Sequence, residues 1–291
     1  MSSPILPQEL VENIIDHLHD DPATLRSCAL VSSAWLPASR YHIFHHVSIR
    51  LGQGAYLENT PCGGEASRLY QIVVSSPEIV PYICDLLIYK GVESPDPYLN
   101  RMTQEESLPL LRLLTNLRRL EFKNYDRRLE ELELVPRLID SIFTASCLPS
   151  IVELRLFGLC FENREQLLRV FRLFPALKVL HLEKILLVEE EAGEVNYFTY
   201  QYDEAEGGSD LVTTQRVRLD VLSIASSHSP AIIKILLHPR SFIDVTHICQ
   251  LNLAVRPAWL PNLLRSTPYL EHLRFDFGYG ESFFRLPCVI F

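Results

Sequence analysis

The sequence predicts an α/β protein: a short three-helix unit followed by an irregular solenoid in which parallel strands alternate with helices. Three observations predict it. Residues 6 to 41 carry three short helical patterns with more apolar surface than so small a unit can bury against itself. Beyond them, a pattern of apolar, two variable, apolar, one variable, apolar recurs along the chain as far as Phe275. Helical stretches separate the copies, and three of these stretches end at a proline placed two residues before the next copy, at Pro149, Pro175 and Pro268.

The first helix starts with Pro7, whose missing N–H is no loss in a first turn, and Leu10, Val11, Ile14, Ile15 and Leu18 follow at helical spacing. Asp21 before Pro22 reads as an N-cap with proline at the first helical position. Leu25, Cys28, Ala29, Leu30 and Val31 then make the second helix apolar on two faces. A third segment, Ser33 to Arg40, carries Trp35 and Leu36, with Pro37 expected to limit its regularity. A unit this small sits at the lower limit for independent folding, so its surplus apolar surface needs cover from the rest of the chain or from a second protein.

In order and spacing, the run L-P-x-E-L followed by Ile14, Leu18, Leu25, Cys28, Leu30-Val31-Ser32, Trp35 and Phe44 resembles an F-box. The resemblance implies docking to the Skp-type adaptor of a Skp, cullin and F-box ubiquitin ligase, and through it to a cullin and its RING partner. Carried over position by position, it implies Leu6, Pro7, Leu10, Ile14, Leu18, Leu30, Val31 and Trp35 as adaptor-facing or motif-supporting residues. Read without it, the same helices are a structural cap on the domain that follows.

The repeated pattern has its middle residue at Val47, Leu86, Leu120, Leu154, Leu180, Leu222, Leu251 and Leu273, at intervals of 22 to 42 residues. Helices are expected at Glu105 to Thr115, Glu131 to Ala145, Arg164 to Phe174, Pro230 to His238 and Ala258 to Ser266. Strand then helix, repeated at such intervals, stacks units that bury their apolar faces on one another. A closed or doubly wound α/β domain also alternates strands and helices. Such folds usually carry a glycine-rich phosphate loop, and no G-x-G-x-x-G, G-x-x-x-x-G-K or G-x-S-x-G occurs here. The pattern resembles the divergent leucine-rich repeats that often follow an F-box, with the usual asparagine mostly absent. The organisation expected is an F-box unit at 1–50 and a degenerate leucine-rich-repeat domain at 51–291.

That resemblance implies that a protein substrate is held by the variable strand positions. The candidates are Arg118, Arg119, Glu121, Glu153, Arg155, Lys178, His181, Gln250, Asn252, Glu271, His272 and Arg274. Residues 189–210 interrupt the period with eight acidic residues and no Lys or Arg, against a net charge of −9 for the whole chain. They read as a solvated insertion, or as an aromatic patch (Tyr197, Phe198, Tyr200, Tyr202) with an acidic rim for a basic partner.

Nucleic acid is excluded as a partner because no basic stretch concentrates charge for phosphate contact. Apolar runs are short and broken by charges, so no membrane span is expected. The N-terminus lacks a secretory signal pattern, which places the protein in the cytoplasm or nucleus. Seven cysteines at positions 28, 62, 84, 147, 160, 249 and 288 form no C-x-x-C pair and read as small hydrophobes. Adjacent His45 and His46 should point to opposite faces of an extended segment, so no metal is expected. No cofactor motif appears and nothing requires an enzyme. The function expected is a substrate receptor of a Skp/cullin/F-box ligase. The alternatives are a non-ubiquitin repeat scaffold and, with a deep pocket of converging His and carboxylate groups, a hydrolase or transferase. The terminal LPCVIF offers no polar cap for a solenoid, which leaves a further C-terminal part or a sheltering partner as the alternatives.

Overall fold

The computed structural model describes residues 6–51, 65–90, 108–124, 148–161, 163–187, 216–225, 230–238, 241–253, 260–276 and 281–285. The helix expected at 131–145, the acidic stretch 189–210 and the LPCVIF run lie outside these residues.

Helix α1 (Gln8–Asp16) starts behind Pro7, whose extended backbone (φ −54°, ψ 142°) makes it the cap rather than a first-turn residue. Helix α2 (Pro22–Val31) starts as the sequence indicates. Asp21 Oδ1 accepts from the N–H groups of Ala23 (3.1 Å) and Thr24 (3.0 Å), and Oδ2 from the Thr24 hydroxyl (2.6 Å). The Thr24 hydroxyl first, then these N–H groups, hold the Asp21 carboxyl below its ordinary pKa.

Helix α3 is displaced from its expected place and runs Leu36–Phe44. Pro37 falls in its first turn, where no intrahelical N–H bond is lost, so it does not disturb the helix. Phe44, expected in a strand pattern, is the last residue of α3. Val11, Ile15, Leu25 and Cys28 form the core of the three helices, with Leu18, Trp35, Ala38 and Ile43 packed on it. Ser39 is buried and donates its hydroxyl to the Trp35 carbonyl at 2.8 Å.

By packing, the chain divides into the units Met1–Phe122 and Lys123–Phe291. The first therefore groups α1–α3 with the first strands. It contains β1 (His46–Leu51), α4 (Glu65–Ser75), a 3-10 helix (Pro77–Tyr82), β2 (Asp85–Lys90), α5 (Leu108–Leu113) and most of β3 (Arg119–Asn124), in strand order β1-β2-β3. β1 and β2 are parallel, with Val47 beside Leu86 and Ile49 beside Ile88. Helix α4 was not expected. Its Ala66, Leu69 and Val73 are buried at helical spacing.

The second unit contains β4 (Glu153–Phe157), β5 (Cys160–Phe161), α6 (Arg164–Arg172), β6 (Val179–Glu183) and β7 (Leu186–Leu187). β8 (Val217–Arg218), β9 (Val221–Ala225), α7 (Pro230–Leu237), β10 (Ile243–Asp244) and β11 (Gln250–Leu253) follow. Last come α8 (Leu260–Arg265), β12 (His272–Asp276) and β13 (Glu281–Arg285). The main strand order is β4-β6-β9-β11-β12-β13, which follows the sequence without the reversal that marks a doubly wound sheet.

From β4 to β12 these strands pair in parallel, so Leu154, Leu180, Leu222, Leu251 and Leu273 lie in one row. All five are buried. β13 turns back antiparallel on β12 and ends the parallel run, which the sequence reading did not foresee. The short pairs β5–β7 and β8–β10 lie outside the main sheet.

Six strand starts share one main-chain arrangement. The first apolar residue of each pattern (Ile83, Leu117, Ile151, Leu177, Ile248, Leu270) donates its N–H to the carbonyl three residues back, at 3.1–3.4 Å. Just beyond, a single carbonyl accepts two successive N–H groups of the next strand: Val152 from Lys178 and Val179, Lys178 from Asp220 and Val221, Asp220 from Cys249 and Gln250. Pro149, Pro175 and Pro268, and Pro81 as well, occupy the second position of such turns. Proline suits that position because its fixed φ matches the turn and no N–H is needed there. The prolines thus shape the turn into the strand instead of stopping the helix: α6 and α8 have already ended three residues earlier, at Arg172 and Arg265.

Candidate functional site

Helix geometry settles which N-terminal residues face outward. In α1, Val11 and Ile15 turn into the core, which leaves Leu10 (50% exposed) and Ile14 (41%) together on an adjoining stripe. Leu6 (46%) and Pro7 precede them, also exposed. In α2, Leu25 and Cys28 turn inward, while Leu30 (88%) and Val31 (67%) stand out at its C-terminal end. Of the eight residues the F-box resemblance points to, six are therefore exposed. The other two, Leu18 and Trp35, are half-buried against the core of the helices.

The outward strand positions form rows as well. In the second unit, Arg155, His181, Ser223, Asn252 and Arg274 lie side by side on five neighbouring strands. Strands stand about 4.8 Å apart, so this row reaches roughly 19 Å across the sheet. It joins four of the sequence candidates and adds Ser223, which was missed although it follows Leu222 just as Arg155 follows Leu154. A second row runs Glu153, Val179, Val221, Gln250, His272.

Glu153 ties the two rows together. Its Oε1 is 2.6 Å from Arg155 Nε and 3.6 Å from His181 Nε2. Gln250 donates its amide to Asn252 Oδ1 at 3.3 Å. Lys178 stands just before β6, 3.8 Å from Asp220, and Glu271 just before β12; both are exposed. Arg118, Arg119 and Glu121 belong to the first unit. There Arg119 Nη1 donates to Asp85 Oδ2 at 2.9 Å, and the Arg118 N–H to the Cys84 carbonyl.

Contrary to expectation, His45 and His46 do not lie in one extended segment with their side chains on opposite faces. His45 caps the C-terminal end of α3 instead of lying in a strand, and His45 Nε2 and His46 Nδ1 both stand 3.9 Å from Asp85 Oδ2. Among the described residues no group of His, Cys, Asp and Glu is arranged to hold a metal ion. The neighbouring Cys84 is half-buried rather than fully buried, as is Cys249. Burial first, then the adjacent Asp85, push the Cys84 thiol above its ordinary pKa, which opposes the thiolate a nucleophile needs. No described helix is long and apolar enough to cross a membrane. No protein-family model and no curated protein matches this chain.

Proposed function

We propose that this chain is the substrate-recruiting F-box subunit of a Skp/cullin/F-box ubiquitin ligase. It binds a Skp-type adaptor through α1 and α2 and a protein substrate through the outward strand rows. One observation carries the reading: six of the eight positions the F-box resemblance points to, Leu6, Pro7, Leu10, Ile14, Leu30 and Val31, are apolar residues that the helices leave uncovered. Covering a Leu or Ile side chain fully is worth about 1.5–3 kcal/mol, so this set can drive a stable complex. The mechanism is positioning. The adaptor brings a cullin and its RING partner, the strand rows hold the substrate near the charged ubiquitin carrier, and the transfer chemistry belongs to those other subunits.

Co-purification with a Skp-type adaptor tests it. Leu10→Asp or Leu30→Asp buries a carboxylate in the interface and is expected to weaken binding by about 2 kcal/mol or more, over tenfold. Adaptor binding at wild-type strength by both variants would refute the assigned face. A second reading, a repeat scaffold with a purely structural helical cap, is favoured by the grouping of α1–α3 with the first strands in one compact unit. It predicts that no Skp-type adaptor binds and that removing residues 1–44 unfolds the strands behind them.

A further inference from the structure

We propose that Asp16 and His42 clamp the roll of α1, and so set the direction in which Leu10 and Ile14 meet the adaptor; this rests on the docking reading above. The buried residues of α1 are Val11 and Ile15, four positions apart and hence on one line along the helix. A single line of contact resists sliding better than rolling. Rolling is the motion that matters for docking, because Leu10 and Ile14 each precede an inward residue by one position, about 100° around the axis. A partial turn would exchange the exposed stripe for a different one.

Polar links at both ends of α1 oppose that motion. At the C-terminal end, His42 Nε2 lies 2.8 Å from Asp16 Oδ1. An ionised carboxylate can only accept, so Nε2 carries the proton and donates. The His42 side chain is 17% exposed and Tyr41 packs edge-on to its ring at 5.2 Å, which fixes the donor on α3. At the N-terminal end the Gln8 amide reaches the Ala34 carbonyl at 3.4 Å, a longer and weaker bond. The Asp16 end therefore supplies the firmer restraint.

The test is calorimetric titration of a purified Skp-type adaptor into the full chain, with a thermal melt of every variant. Asp16→Ala and His42→Ala are each expected to weaken binding about fivefold, and the double variant no further, because both remove the same bond. His42→Gln places an amide N–H near the position of Nε2 and is expected to restore most of the affinity. Asp16 lies on the surface, so its replacement keeps the helices folded even where His42→Ala does not. Single variants that bind like the wild type, losses that add in the double variant, or a Gln variant as weak as Ala would each overturn the clamp alone. A wild-type chain that fails to bind the adaptor would remove the docking reading and the clamp with it.

Discussion

Gly158 and Asp21 mark the two extremes of what single residues reveal. Gly158 has φ +66°, and a Cβ there would stand 2.3 Å from the Asn124 carbonyl oxygen. Lys184, at the same step after β6 that Gly158 holds after β4, has φ 53° and carries a side chain, with its Nζ 4.8 Å over the Phe157 ring. The left-handed backbone alone therefore does not demand glycine; the close approach of Asn124 does. Gly158→Ala is expected to lower the unfolding free energy by about 2 kcal/mol or more, read from the urea midpoint, since the clash adds to the strain of positive φ. No local pattern announces this requirement, because its cause lies 34 residues away in the chain. Asp21 is the opposite case. Cap and proline are adjacent, so its role was legible at once. Its pKa is lowered by folding, so its stabilising contribution is present above the ordinary aspartate value of about 3.9 and is lost as pH falls through the folded value. Thermal melts of wild type and Asp21→Ala should therefore differ at neutral pH and converge in acid; a difference that grows with acidity would contradict the cap.

At the scale of elements, the repeated apolar pattern located strands well because alternation of inward and outward residues is set by the strand itself. Leu180 and Leu182 are buried, while His181 is half-exposed between them. Leu180 has no exposed surface, so Leu180→Ala should cost about 2–5 kcal/mol in stability, measurable by chemical unfolding. The prolines were located correctly and interpreted wrongly, because a proline just before a strand looks alike in sequence whether it ends a helix or forms the following turn. Pro175→Ala distinguishes the two. As the second residue of the turn Phe174–Leu177, its loss should destabilise by about 0.5–1 kcal/mol through the freer unfolded chain, with helix content by circular dichroism unchanged. A proline that stopped α6 would, once removed, let the helix lengthen. Helix α4 escaped notice because it begins directly behind the turn-forming run GQGAYLENTPCGG, and β13 because an antiparallel end strand has no place in a parallel repeat.

Across the whole molecule, the α/β class and the succession of strands followed from periodicity, whereas the exposed character of Leu30 and Val31 required coordinates. An apolar residue at a helix end reads the same in sequence whether a neighbour covers it or not. The Arg155–Arg274 row likewise depends on register between strands far apart in the chain, although each member sat at a predictable outward position. If adaptor docking and substrate holding are separate tasks of separate surfaces, their perturbations must be independent, since residues with no shared partners contribute additively. Leu30→Asp should reduce adaptor affinity more than tenfold while leaving the set of proteins captured by the strand face unchanged. The paired substitution Arg155→Ala with Arg274→Ala should alter that captured set and leave adaptor affinity within about twofold of wild type. Both outcomes are read from one experiment, affinity capture with mass spectrometry alongside titration of the adaptor. Loss of adaptor binding in the arginine pair at an unchanged melting temperature would mean that the two surfaces are not separate, and the division of labour proposed for the molecule would fall.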